Sequence, residues 1–169
     1  DTLDAIAKAG NSALNKLDRP EISRHRYRNL VGQGVHWLMT QALSNNDQQL
    51  VPQAVELFLE YYGEHGDAQT RPYDGVINLL NELNRRRLIQ AVLSNKPHDA
   101  TRSCVSSLFA GYSFDHVAGA KPDVPLKPEP DAAIDIANRL GVVPHRWLFL
   151  GDTNIDMLTA NSAGMYPVG

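Results

Sequence analysis

Ser94 and Asn95 are the first residues whose types and position could support chemistry. They directly follow an apolar run, residues 88–93, that is predicted to be a buried parallel strand, and they precede a predicted helix near Pro97. A hydroxyl group and backbone N–H groups at the start of a helix suit a phosphate. The same residue types are also common helix caps, so a purely capping role is an open alternative.

Lys127 is the second candidate, because its loop is unusually stiff. The segment 121–130 contains four prolines, at positions 122, 125, 128 and 130. Proline fixes the backbone dihedral φ, so an ammonium group in this segment could be held in place. The alternative is an ordinary solvated lysine on a loop.

Asp152 and Asp156 form the third candidate, at the end of a second predicted buried strand, residues 147–150. Asp152 follows that strand, and Asp156 lies one turn into the next predicted helix. Two carboxylates that converge at a strand end suit a hard cation, most plausibly Mg²⁺. The alternative is that both aspartates only stabilise the positive end of the helix dipole.

Two patterns of hydrophobicity define the elements that must position these residues. Residues 1–72 predict short helices only, and therefore a small helical domain. Within it, Ser23 is expected to cap a helix that ends at residues 31–32, and a later helix is expected to end before Gly63. Residues 73–169 alternate between helix and strand, which predicts an α/β domain with a doubly wound parallel sheet. Ligands of such sheets bind beyond the carboxyl ends of the strands, where all three candidates lie.

The composition excludes several classes of function. The 169 residues carry 16 Lys and Arg against 19 Asp and Glu, a formal net charge of −3, which leaves no basic surplus for binding nucleic acid. Cys104 is the only cysteine, so neither an intrachain disulfide nor a Cys/His zinc cluster is expected, and a cytoplasmic setting fits best. No apolar run approaches the length of a membrane span, so no membrane partner is predicted.

Taken together, the candidate segments resemble a known family. Segments 93–97, 126–131 and 150–156 resemble, in order and position, the second, third and fourth motifs of the haloacid dehalogenase-like hydrolase superfamily. Segments 29–34 and 73–76 are similar to its phosphoglycolate phosphatase-like branch. The resemblance covers essentially the whole chain. It implies an α/β core of the Rossmann-like type, residues 73–169, with a mobile helical cap domain, residues 1–72, that excludes water and selects the substrate.

The resemblance also implies a reaction and a role for each candidate. The expected enzyme is a Mg²⁺-dependent phosphatase that hydrolyses a small phosphorylated metabolite, such as phosphoglycolate, through an aspartyl-phosphate intermediate. Ser94 would donate to a phosphoryl oxygen, with the backbone of Asn95 assisting. Lys127 would balance the charge of the nucleophile and the phosphate. Asp152 would bind Mg²⁺, and Asp156 would orient that metal site directly or through water.

One motif of the family has no counterpart in residues 1–169. The first motif is a strand that ends in Asp-x-Asp and supplies the nucleophile and the general acid/base, and only Asp1-Thr2 resembles its tail. We therefore expect a fragment that lacks the central strand of the sheet, is truncated near Gly169 and is inactive alone. Alternatives are a sugar-phosphate mutase, a phosphonate hydrolase or a metal-free dehalogenase, the last disfavoured by the two aspartates. A non-catalytic domain that binds phosphate or a partner is a further alternative.

Overall fold

A computed structural model describes residues 2–66 and 70–169, and these divide between two compact units. The first unit comprises Asp1–Glu82 and Ser103–Ala110, and the second comprises Leu83–Arg102 and Gly111–Gly169. The domain boundary predicted near residue 72 stays a prediction. No helix of the described ranges is long and apolar enough to cross a membrane.

The first unit is helical throughout its regular elements. Small side chains of α1 and α4 allow these two helices to pack closely, and Leu14, Met39 and Phe58 fill the core around them. Its helices are α1 (Leu3–Lys16), α2 (Arg24–Arg28), α3 (Val35–Ala42), a 3₁₀ helix (Asn45–Leu50), α4 (Val51–His65) and α5 (Val76–Arg85). The last residues of α5 belong to the second unit.

Tyr27 fixes how α2 packs in this unit. Its ring is fully buried, and its hydroxyl donates to Asn11 Oδ1 at 2.9 Å. The Asn11 amide also bonds both backbone groups of Ile22, at 3.1 Å each. A β-carbon on Gly10 would overlap the Tyr27 ring, so only glycine fits there. Burial raises the pKa of Tyr27 above its usual range.

Two helix boundaries differ from the sequence expectation. Ser23 does cap α2, because its hydroxyl accepts from Arg26 N at 3.3 Å, but α2 ends at Arg28 rather than at residues 31–32. The chain turns there, and Gly32 adopts a positive φ that does not continue a helix. Helix α4 continues through Gly63 to His65, because a single glycine costs a helix only about 1 kcal/mol.

The second unit contains two pairs of parallel strands. In the described part of the chain, β1 pairs with β2, β3 pairs with β4, and no pairing joins the two sheets. Alanines of α7 and α8 form the buried cluster, and Leu93 and Phe149 pack against it. The elements are β1 (Ala91–Pro97), α6 (His98–Leu108), β2 (His116–Ala120), α7 (Asp131–Arg139), β3 (Leu148–Leu150), α8 (Asn154–Ser162) and β4 (Tyr166–Val168), with α6 crossing into the first unit.

Burial was predicted wrongly for two runs, residues 88–93 as a strand buried on both faces and residues 147–150 as a buried strand. Leu88 and Ile89 precede β1 and are about half exposed, at 50% and 46%. In β3, Phe149 faces the buried cluster, whereas Leu148 is 71% exposed on the opposite face. The reason is that burial on both faces needs a packed layer on each face, and in β3 the cluster that covers Phe149 leaves Leu148 and Leu150 exposed.

A register shift at the carboxyl end of β1 displaces the first candidate residues. Leu93 pairs with Ala118 and Pro97 pairs with Ala120, so β1 advances four residues while β2 advances two. The intervening segment, residues 94–96, therefore leaves the regular ladder. Such irregularities re-aim side chains at the end of a strand.

Candidate active site

Ser94 lies in this displaced segment with its hydroxyl already oriented. Ser94 Oγ accepts a hydrogen bond from Lys96 N at 3.1 Å. The hydroxyl proton is not used in that bond, so it can be donated to a ligand. Helix α6 begins only at His98, so Ser94 bonds the turn before the helix rather than the N–H groups of its first turn.

Asn95 is the one buried residue of β1, at 8% exposure, and its side chain binds the backbone of Lys127. Asn95 Nδ2 donates to Lys127 O at 2.9 Å, and Lys127 N donates to Asn95 Oδ1 at 2.9 Å. These two bonds join positions 32 residues apart in the chain. The side chain therefore holds the proline-rich loop, whereas the phosphate contact implied by the family resemblance is one of the Asn95 backbone.

Lys127 is not a solvated loop lysine in this structure. Its side chain is 12% exposed, and Nζ lies 2.6 Å from Asp156 Oδ1. Nζ also lies 3.4 Å from the carbonyl oxygen of Leu93, at the end of the regular part of β1, and 5.9 Å from the centre of the Phe149 ring. The loop thus delivers a buried, directed ammonium group to the carboxyl end of β1.

Asp156 uses both carboxylate oxygens within the protein. Oδ1 pairs with Lys127, and Oδ2 accepts from Thr153 Oγ1 at 2.6 Å and from Thr153 N at 3.2 Å. Thr153 Oγ1 accepts in turn from Asp156 N, which completes a capping box at the start of α8. Burial would raise the pKa of Asp156, but the hydrogen bonds from Lys127 and Thr153 outweigh it, so the pKa lies below its ordinary value.

Gly151 permits this close packing. A β-carbon at position 151 would overlap Cβ and Cγ of Asp156, so no larger residue fits without moving the carboxylate. Gly151 N also donates to Val168 O at 2.9 Å, which ties the end of β3 to β4. The turn after β3 is therefore fixed on both sides.

Asp152 differs from Asp156, because its side chain is exposed and makes no hydrogen bond or ion pair within the described ranges. Those ranges contain no group of three or more His, Cys, Asp and Glu side chains that could hold a metal ion. Mg²⁺, however, commonly takes one or two carboxylates and completes its shell with water and substrate phosphate. The exposed Asp152 carboxylate fits that requirement, whereas both oxygens of Asp156 already accept hydrogen bonds and only Oδ1, with one bond, has a second lone pair available.

The structure thus joins Asn95, Lys127 and Asp156 in one connected set of contacts, and Ser94 precedes Asn95 in the chain. Thr153 and the carbonyl of Leu93 also belong to this set and were not predicted from the sequence. Thr153 had a detectable signal, because Thr-x-x-Asp at the predicted start of a helix follows the capping-box pattern. The Leu93 carbonyl had none, because any residue supplies one.

Comparison with known proteins identifies the class. The haloacid dehalogenase-like hydrolase family model matches residues 1–169, and the chain belongs to this family. Two proteins named phosphoglycolate phosphatase, from Pseudomonas putida KT2440 and Mannheimia succiniciproducens, are 30% and 29% identical to it. The alignments cover 100% and 99% of this chain, which spans 64% and 79% of the two relatives. These matches support a phosphoric monoester hydrolase.

Solved structures agree. A crystal structure of a predicted phosphoglycolate phosphatase from Haemophilus somnus superposes with a TM-score of 0.85 at 27% identity, over 99% of this chain and 78% of that one. A haloacid dehalogenase-like protein from Streptococcus pneumoniae shares the fold, with a TM-score of 0.87 at 22% identity, over 99% and 77% of the two chains. The predicted α/β fold class and family resemblance are confirmed.

Proposed function

We propose that the chain is part of a Mg²⁺-dependent phosphatase that hydrolyses a small phosphomonoester such as phosphoglycolate. The buried ion pair between Lys127 and Asp156, at the strand end that also carries Ser94, is the observation that supports this most directly. A directed ammonium and a hydroxyl donor at the same strand end suit a phosphoryl group, whose transfer depends mainly on positioning and charge neutralisation. The names of the relatives support the substrate class.

Lys127 has a hydrogen-bond donor to spare for the substrate. An ammonium group has three N–H bonds. One is directed to Asp156 and one to the Leu93 carbonyl, which leaves the third for a phosphoryl oxygen. Ser94 would donate a second bond to the same group, and the backbone N–H of Asn95 would assist. Donors that are fixed in advance stabilise developing charge without a cost of reorganisation.

Mg²⁺ would be held by Asp152, and Asp156 would support that site by fixing the turn between the two carboxylates. When bound, the metal would neutralise charge on the phosphate and on the attacking group. The nucleophile would be an aspartate of the first motif, which is not among residues 1–169, and would form an aspartyl-phosphate that water hydrolyses. Residues 1–72 would form the cap domain, and the enzyme would work in the cytoplasm.

Phosphate release from phosphoglycolate tests this function in the parent protein, meaning this chain together with any residues its gene adds at either end. Lys127→Met and Ser94→Ala should each lower kcat by about a hundredfold or more, as when other fixed donors are removed. Asp115→Ala is the matched control, because Asp115 bonds Gln90 N at the opposite, amino end of β1 and β2. Near-normal kcat in both site variants, or turnover that is unaffected by a chelator, would contradict the proposal.

A further inference from the structure

We propose that Asn95 is a positioning residue, which fixes the Lys127 ammonium relative to the Ser94 hydroxyl by clamping the backbone of Lys127. This inference rests on the proposed function, since it concerns how that site is held together. It assigns to the Asn95 side chain a role other than contact with phosphate. The observation that carries it is the pair of 2.9 Å hydrogen bonds between the Asn95 carboxamide and the two backbone groups of Lys127.

The chemistry of the clamp is specific to asparagine. A carboxamide has one donor and one acceptor side by side, so it can pair with the N–H and C=O of one residue as another peptide group would. Aspartate offers acceptors only, and glutamine is longer by one methylene. At 8% exposure the Asn95 side chain has little access to water that could replace these bonds. Loss of the carboxamide would therefore leave two polar backbone groups of Lys127 without their partners.

The prolines stiffen the loop around Lys127, but few backbone hydrogen bonds anchor it. Its prolines carry no N–H, and Pro125 and Pro128 lie on either side of the Leu126-Lys127 dipeptide. The local backbone bond that closes the turn runs from Glu129 N to Leu126 O, at 2.9 Å, and it spans Lys127 without engaging its backbone. Lys127 Nζ reaches the Leu93 carbonyl, but the bonds between the main chain of Lys127 and β1 are those to Asn95.

Asn95 and Asp156 restrain different parts of the lysine. Asp156 contacts the ammonium, whereas Asn95 contacts the main chain from which the side chain extends. Because Asn95 is covalently next to Ser94, the clamp also sets the spacing between the two groups proposed to bind phosphate. A displacement of about 1 Å at a reacting centre can lower a rate by about a hundredfold. The clamp is thus expected to act on kcat through Lys127.

A double-mutant cycle in the parent protein separates this role from a merely structural one. Asn95→Ala should lower kcat by about a hundredfold, after correction for the folded fraction, with little change in KM. In a Lys127→Met background the same change should lower kcat further by less than about threefold, because the group that Asn95 positions is already gone. The effects of Asp115→Ala and Lys127→Met on kcat should instead be independent, so that the double variant shows the product of the two fold-changes. If the fold-changes in kcat of Asn95→Ala and Lys127→Met also multiply in the double variant, the proposal is wrong.

Hydrogen exchange of the Lys127 amide tests the clamp without reference to activity. Asn95→Ala should speed exchange at this amide by at least about tenfold, and Asp115→Ala should leave it unchanged. Asn95→Asp retains an acceptor for Lys127 N, so the Lys127 amide should keep most of its protection from exchange. This variant is measured in place of Asn95→Ala if the latter does not fold. If the wild-type protein releases no phosphate but the amide responds as described, the phosphatase assignment fails and the clamp stands. An unchanged Lys127 exchange rate in Asn95→Ala would overturn the clamp itself.

Discussion

Replacing Lys127 with methionine should destabilise the protein at neutral pH and much less in acid. Asp156 is only 6% exposed, and the substitution removes the partner of its Oδ1. Loss of one partner of a buried ion pair costs about 3–5 kcal/mol. Here the two bonds from Thr153 remain and methionine still covers the Phe149 ring, so we expect the lower end, about 3 kcal/mol near pH 7.

The pH dependence follows from the carboxyl group that is left behind. In the wild type, the pKa of Asp156 lies below its ordinary value of 3.8, so its contribution to stability is present above that value and is lost as pH falls through the folded-state pKa. Without Lys127, burial is opposed only by Thr153 and the pKa of Asp156 rises. The protonated carboxyl no longer needs a cation, so the difference in stability between variant and wild type should shrink as pH falls through the raised pKa of the variant, towards about pH 4 and lower.

Urea unfolding at about pH 7 and at about pH 4 measures both effects. Lys16→Met is the matched control, because Lys16 makes a 3.1 Å ion pair with Glu60 in which both side chains are at least half exposed. Such surface pairs contribute about 0–1 kcal/mol. If the two lysine variants lose equal stability, or if the loss in Lys127→Met is the same at both pH values, the buried ion pair does not act as reasoned here.

Four further substitutions test single features. Gly10→Ala should destabilise the protein because the new methyl overlaps the Tyr27 ring, whereas Gly63→Ala, with open space around it in α4, should stabilise it by about 1 kcal/mol in thermal melts. Thr153→Val should lower the free energy of unfolding by about 1 kcal/mol through loss of the cap of α8. Asp152→Asn should abolish the rise in phosphatase rate on titration with Mg²⁺ while leaving the melting temperature near that of the wild type; a normal Mg²⁺ response would remove Asp152 from the metal site.

Local patterns predicted helix starts well, because a helix start is encoded by neighbouring residues. The Ser23 cap and the start of α8 next to Asp152 are examples. Burial was predicted less well. Residues 147–150 are apolar, but whether an apolar strand is buried depends on what packs on both faces, and that is a property of the whole sheet.

The contacts between the site residues could not be predicted from the sequence, for a related reason. Asn95 and Lys127 are 32 residues apart, and Lys127 and Asp156 are 29 apart. No periodicity links positions at such separations, so the sequence indicated three independent candidates rather than one network. The sequence also could not show that Asp156, rather than Asp152, would form hydrogen bonds within the protein.

Asp156 is paired with Lys127 and Asp152 is exposed, and this difference affects the charge of the site. Lys127 and Asp156 together form a neutral pair, so the ammonium can orient a phosphoryl group but cannot by itself offset a dianion. A site that binds a phosphomonoester therefore needs further positive charge close to Ser94 and Lys127. The Asp152 carboxylate is exposed and has no partner in the described ranges. A divalent cation bound to it would leave a net positive charge at the site. Under the proposed function, the ion pair that makes Lys127 a precise donor is thus also the reason that a metal ion is required.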